Sequence, residues 1–255
     1  MLRRLPVLFD ISRLRWIGVL LFIFLAYLVA LTWQATMSVK EHLPDKDAAS
    51  VFLMGKVVTR FGRYGSVLIF FNGIVAVERN TLALRLTLSA DRKRLLALTY
   101  AKSVLTMMVF VLSHGLVWHE LQAHWQLTPV NLVTWYGLKH PPFAAELTQM
   151  FTGGLVVSTL SVCITLLVRS RPVLIAILLL FFSYVVVVGG VPFLPLSIRF
   201  PKGFSQLVAH LVPLVLHSGV AGQCPCFVGS WPMYQVVYCA VVLFTTSVKF
   251  VRSDL

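Results

Sequence analysis

Six stretches of the chain are apolar almost without interruption, at about 16–33, 64–80, 97–118, 150–168, 173–190 and 232–250. Each is close to the roughly 20 residues that an α-helix needs to cross a hydrocarbon core some 30 Å thick. Lipid offers backbone amides no partner, so segments of this kind have to be helical. The pattern predicts an all-α polytopic membrane protein with six transmembrane helices, one membrane domain filling residues 1–255. The second stretch is the weakest, because Asn72 and Gly73 interrupt it. The fourth and fifth are separated by Arg169-Ser170-Arg171-Pro172, a tight basic hairpin whose proline suits the first position of the next helix.

Between these stretches the pattern changes character. Leu5, Leu8, Phe9 and Ile11 alternate with Arg3, Arg4, Asp10, Arg13 and Arg15; this segment reads either as a basic lead-in or as an interfacial helix that elbows into the first span. Lys56, Arg60 and Arg63 share one helical face opposite Val51, Phe52, Val57, Val58 and Phe61, which predicts an amphipathic helix lying on the outer interface. Residues 191–231 hold apolar runs such as Leu207–Leu216 broken by Pro192, Pro195, Pro201, Pro213 and Pro225. A segment that short and broken predicts a re-entrant outer element before the last span, shielded from lipid by protein.

Composition agrees with the membrane assignment. The chain is 58% hydrophobic and 12% charged, against about 25% charged in an ordinary soluble domain. Its net charge of +13 raises the question of nucleic acid, but the cations form no stripe with interleaved aromatics, so no nucleic-acid partner is expected. They sort by topology instead. With the N-terminus inside, 14 of the 22 Lys and Arg fall in the inner segments 1–15, 79–102, 169–171 and 249–255, as cytoplasmic retention of positive charge requires. Both termini are then cytoplasmic, and the protein is expected in the cell (inner) membrane. No short apolar region with a small-residue cleavage site follows Arg3 and Arg4, so the first stretch reads as an uncleaved span.

Few residues suggest chemistry. A G-x-x-x-x-G-K-[ST] phosphate loop is absent: the one Gly-Lys pair, Gly55-Lys56, lacks the earlier glycine and is followed by valine, so nucleotide hydrolysis by that route is not expected. In His119-Glu120-Leu121-Gln122-Ala123-His124 the second histidine comes one position later than in H-E-x-x-H. The two imidazoles would then point about 140° apart around a helix, and the bland reading is an outer loop beside interfacial Trp118 and Trp125. Cys224-Pro225-Cys226 supplies two thiols, too few for a zinc site. Cys163 and Cys239 lie inside spans and read as small hydrophobes. No G-x-S-x-G elbow is present, and of nine acids only Glu78 and Glu146 approach the membrane. No metal and no cofactor is expected in this chain.

One stretch stands apart: Glu78-Arg79-Asn80-Thr81, then Leu82 to Leu95, with Lys102 opening the third span. Physically it is a charged elbow, with Leu84, Leu86, Leu88 and Leu95 among the charges and Ser89 or Asp91 placed to cap the following helix. The cations Arg92, Lys93 and Arg94 suit lipid headgroups. Its order resembles the inner loop of type-2 ABC exporter permeases, where a Glu-Arg pair ends the second span, a threonine follows, a Leu-x-Ser-x-Arg segment forms the coupling helix, and a lysine begins the third span. Glu78-Arg79, Thr81, Leu88-Ser89, Arg92 and Lys102 correspond to those residues; Asn80 replaces the usual glycine, the proline that the family carries in the coupling segment is missing, and the spacing from Glu78 is shorter.

The resemblance implies the transmembrane subunit of an ATP-driven exporter. Two permeases, identical or related, would pair and bind separate ABC ATPase subunits that carry ATP and Mg. Coupling would pass through Glu78, Arg79, Thr81, Leu86, Leu88, Ser89, Asp91, Arg92, Lys93, Arg94 and Lys102, and the uncharged spans favour an amphipathic, lipid-like or peptide cargo. The competing class is a membrane-embedded enzyme acting on lipid or quinone through His114, His119 and His124 at the outer end of the third span. A heme-handling relative using outer histidines such as His210 and His217 is a third reading.

Overall fold

The computed structural model describes residues 11–46, 48–50, 53, 61–77, 92–127, 143–168, 170–190 and 231–252, and the regular structure among them is entirely helical. The helices are α1 (Ile11–Glu41), a π-helical turn (Phe61–Gly65) leading into α2 (Ser66–Val77), α3 (Arg92–His124), α4 (Phe143–Leu167), α5 (Arg171–Gly190) and α6 (Trp231–Arg252). The six apolar stretches map onto these six helices in chain order. Among the described residues, four segments are long and apolar enough to cross a membrane: Gly18–Glu41, Lys93–His124, Met150–Leu167 and Pro232–Phe250. The chain is a helical membrane protein.

The helices overrun the apolar stretches. α1 continues past residue 33 to Glu41, because residues 34–41 contain neither glycine nor proline and the first breaker is Pro44. Its 31 residues extend about 46 Å, and the 33 of α3 about 50 Å. Both exceed the hydrocarbon thickness and run into the interfaces. At its start α1 takes in Ile11–Arg15 without a break, so there is no elbow between those residues and the span. α2 is the short one, with 12 residues.

α3 stops by a specific device. The Leu127 N–H donates to the Gln122 carbonyl at 3.0 Å and the Gln126 N–H to the Ala123 carbonyl at 3.1 Å, with Gln126 at φ 49°. That is a Schellman ending. Leu127 completes it by packing on the cluster that holds Leu121, the contact that commonly accompanies this motif. The α4–α5 hairpin is as tight as its basic sequence predicts: α4 ends at Leu167, the Ser170 carbonyl accepts the Leu174 N–H at 3.1 Å, and Pro172 sits in the first turn of α5.

α4 is the centre of the bundle. It packs most extensively against α2, α3 and α6, while α1 lies against α3 and α2, and α5 against the π-helical turn and α2. Accordingly 67% of the α4 apolar window is buried inside the protein, against 22% for α1. The main core gathers Phe24, Phe61, Ile69, Phe70, Met107, Phe110, Met150 and Val157. A second cluster joins Leu31, Ala35, Val39, Ala49 and Leu53 to Trp118 and Leu121. Two predicted surface positions are therefore internal. Trp118 is buried in the second cluster rather than presented to the interface, and Phe61 is wholly buried in the first rather than lying on an outer amphipathic helix. Lys56 and Arg60 lie outside the described residues, as do residues 191–230 with Cys224 and Cys226.

The outer surface of the bundle is apolar. Phe22 and Val29 on α1, Leu105 and Leu116 on α3, Leu179 and Leu180 on α5, and Met233 and Phe244 on α6 are all strongly exposed. Water would not tolerate an apolar surface this extensive; lipid does. Between helices lipid supplies no hydrophobic drive, so contact rests on close approach of small residues. A Cβ added to Gly73 would collide with the Ser161 side chain, and one at Gly154 would lie 2.8 Å from Met107 Sδ. Those two glycines bring α2 and α3 close against α4.

Candidate functional site

Of the residues assigned to the elbow, Glu78, Arg79, Thr81, Leu86, Leu88, Ser89 and Asp91 lie outside the described residues, and with them the capping role of Ser89 or Asp91. Arg92 is the first residue of α3. Lys93 and Arg94 follow it and are exposed, while Lys102, two and a half turns further on, is half-buried. Three consecutive cations thus open α3. Lys93 and Arg94 place positive charge on the surface where the described part of α3 begins.

The three histidines of the competing reading do not come together. His114 is fully buried, while His119 and Glu120 are strongly exposed and His124 stands in the last turn of α3. Their spacing of five turns each side chain about 140° from the previous one. Because α3 continues to His124, His114 lies about 15 Å inside the helix end, within the core. His210 and His217 fall outside the described residues. Among the described residues no group of three His, Cys, Asp or Glu side chains is placed to hold a metal ion.

Instead the structure assembles buried polar groups along α4. Near one end the Thr152 hydroxyl donates to Gln235 Oε1 of α6 at 2.6 Å, with Gln235 fully buried. Further along, the Thr159 hydroxyl donates to the Leu155 carbonyl at 2.7 Å, which leaves Tyr100 of α3 to donate to Thr159 at 3.0 Å. The Cys239 thiol lies against Thr159, and the Cys163 thiol against Thr246. On the side facing α2, Ser161 meets Gly73, and the Asn72 amide donates to the Ser103 carbonyl at 3.4 Å. The result is a hydroxyl, amide and thiol seam through the bundle, with no ionised group among its described members. Such groups hold helices together in lipid, and as neutral donors and acceptors they suit polar but uncharged passage or packing.

No family model, no curated protein and no solved structure matches the chain. Its chemistry is therefore read from its own residues.

A second polar feature lies where α1, α3 and the π-helical turn meet. The Tyr27 hydroxyl and His114 Nε2 share a hydrogen bond of 2.8 Å. The imidazole is walled by Phe61, edge-on with ring centres 4.6 Å apart, and by Phe24 at 6.2 Å. Phe24 in turn stacks on Phe110 at 4.2 Å, and Tyr64 stands 6.0 Å from Tyr27.

Sequence reasoning weighed charged groups and passed over most of this seam. Gln235 was legible as a strong amide in an apolar stretch. Thr152, Thr159 and Ser158, Thr165 recur at intervals of seven, the spacing that lines one face of a helix over two turns. That periodicity marks α4 as the helix with polar inner faces.

Proposed function

We propose that this chain is the membrane-embedded permease subunit of an ATP-driven exporter of the type-2 ABC class. The observation that carries the reading is the ordered series Glu78-Arg79, Thr81, Leu88-Ser89, Arg92 and Lys102, set between a short second helix and a long third one. The three cations at the start of α3 support it. Exposed Lys93 and Arg94 fit an anionic surface that meets the elbow, and an acidic face of an ATPase subunit is such a surface.

In this reading the helices α1 to α6 are six spans, with α2 and α5 crossing beside the longer four, residues 191–231 re-entering from outside, and both termini in the cytoplasm of the inner membrane. A second permease copy, identical or related, pairs with this one. ATP and Mg reside on the partner ATPase subunits; the closing motion of those subunits pushes on residues 86–94 and is transmitted along α3 to its neighbours α2 and α4. The neutral seam along α4 and the apolar lipid-facing exterior fit a cargo that is amphipathic, lipid-like or a peptide.

The test is co-purification from native membranes followed by reconstitution. The expected result is an ATPase subunit recovered with this chain, and nucleotide-dependent cargo movement in vesicles containing both. Recovery of the chain without any ATPase, in membranes where it is stable and inserted, overturns the reading.

A further inference from the structure

Two unusual features of the described chain coincide in space. The first is the π-helical turn Phe61–Gly65 at the head of α2; π-turns hold one residue more than an α-turn and concentrate at functional sites. The second is His114, an ionisable side chain buried among spans, which in a membrane protein marks function more often than packing. They touch: Phe61 packs edge-on against the His114 ring at 4.6 Å. Gly65 allows this arrangement, since a Cβ there would lie 2.7 Å from Phe61 Cδ2 and 3.0 Å from Cε2.

The imidazole is also the meeting point of two other elements. Nε2 bonds Tyr27 of α1. Nδ1 is buried beside the Phe110 carbonyl one turn back, without closing a hydrogen bond. α1 packs only lightly, on α3 and α2, whereas α6, equally little buried, packs extensively on α4; of the two peripheral helices α1 is the one that can move at less cost. Near residue 27 it is held to the core by the Phe24–Phe110 stack and the Tyr27–His114 bond.

We infer that the π-helical turn and the Tyr27–His114 pair form a two-position latch that docks α1 onto the core. In the docked position the extra residue of the turn directs Phe61 onto the imidazole and holds its plane toward Tyr27. Rewinding the turn as α-helix removes one residue from it and rotates what precedes it by about 100° relative to α2. Phe61 then leaves the ring, His114 loses the wall that orients it, and α1 loosens from α3. The latch is a property of this chain alone and holds whether or not the chain is an exporter subunit.

The experiment uses the full-length chain in lipid nanodiscs, with the four native cysteines replaced and spin labels at Val29→Cys on α1 and Leu116→Cys on α3, both lipid-facing positions. Distance distributions are recorded for this background, for Tyr27→Phe and for Gly65→Ala. Two populations are expected. Tyr27→Phe keeps the ring and removes one hydrogen bond, and it should shift the ratio toward the longer distance by roughly fivefold; Gly65→Ala should shift it the same way by dislodging Phe61. A single distance distribution unchanged by Tyr27→Phe, in protein that elutes as one helical species, overturns the latch. If Gly65→Ala does not fold, Tyr27→Phe decides alone.

Discussion

At the scale of single residues, the bundle depends on positions where one methyl group decides whether two helices can meet. Gly73 is the clearest. With alanine there, the new Cβ would lie 2.7 Å from the Ser161 Cβ and closer still to its hydroxyl, and both side chains lie between packed backbones that cannot retreat. Overpacking of this kind costs about 1–3 kcal/mol, so Gly73→Ala should lower the thermal midpoint in detergent. Removing the obstruction with Ser161→Gly in the same chain should recover part of the loss, leaving the double variant more stable than the two single effects added together. Strictly additive losses would show that the two residues do not touch. Gln126 makes the opposite prediction. It sits at φ 49°, a conformation that costs a non-glycine residue about 1 kcal/mol or more, in the position where helix endings favour glycine. Gln126→Gly should raise the midpoint slightly, and a fall in the midpoint would mean that the side chain makes a contact worth more than the strain.

Among elements, the contrast between α1 and α4 is what the sequence conveyed least. Both read as apolar runs of similar hydropathy, yet α4 has three helix neighbours and α1 is mostly wrapped in lipid. In water the polar side of a helix reveals which face is solvated; in lipid both faces are apolar and that distinction vanishes. The helical class and the four long spans were legible because span length is set by bilayer thickness, whereas the helix ends were not, because α1 and α3 continue through residues that hydropathy scores as loop. Likewise the elbow was visible as charge, while the Tyr27–His114 pair required the fold to bring residues 87 positions apart within 2.8 Å. The contrast is measurable with single-tryptophan variants in vesicles containing brominated lipid. Trp33 on the exposed side of α1 should be quenched strongly, and Trp118, buried between α1 and α3, only weakly. Equal quenching would mean that the second cluster opens to lipid and that α1 is not packed along its C-terminal half.

For the molecule as a whole, the open matter is what the cations at the start of α3 answer to. In the proposed orientation a positive-inside rule accounts for their side of the membrane but does not say what they meet there. Two anionic surfaces can meet them, lipid headgroups and a protein partner, and they predict different behaviour. Phosphate headgroups are a diffuse field worth about 1 kcal/mol per cation, interchangeable along the inner surface, so Lys93→Gln with Arg94→Gln should leave any partner bound and alter only the dependence on anionic lipid. A docked ATPase subunit instead meets these side chains at fixed positions. The double variant should then lose most of the co-purifying ATPase and most nucleotide-dependent transport, while insertion, monodispersity and the thermal midpoint stay as in the parent. Lys93 and Arg94 are exposed, and the thermal midpoint of the double variant separates loss of a partner from loss of fold. Retention of the ATPase by a correctly inserted double variant would assign the cations to lipid, and would leave the exporter reading resting on residues 78–91 alone.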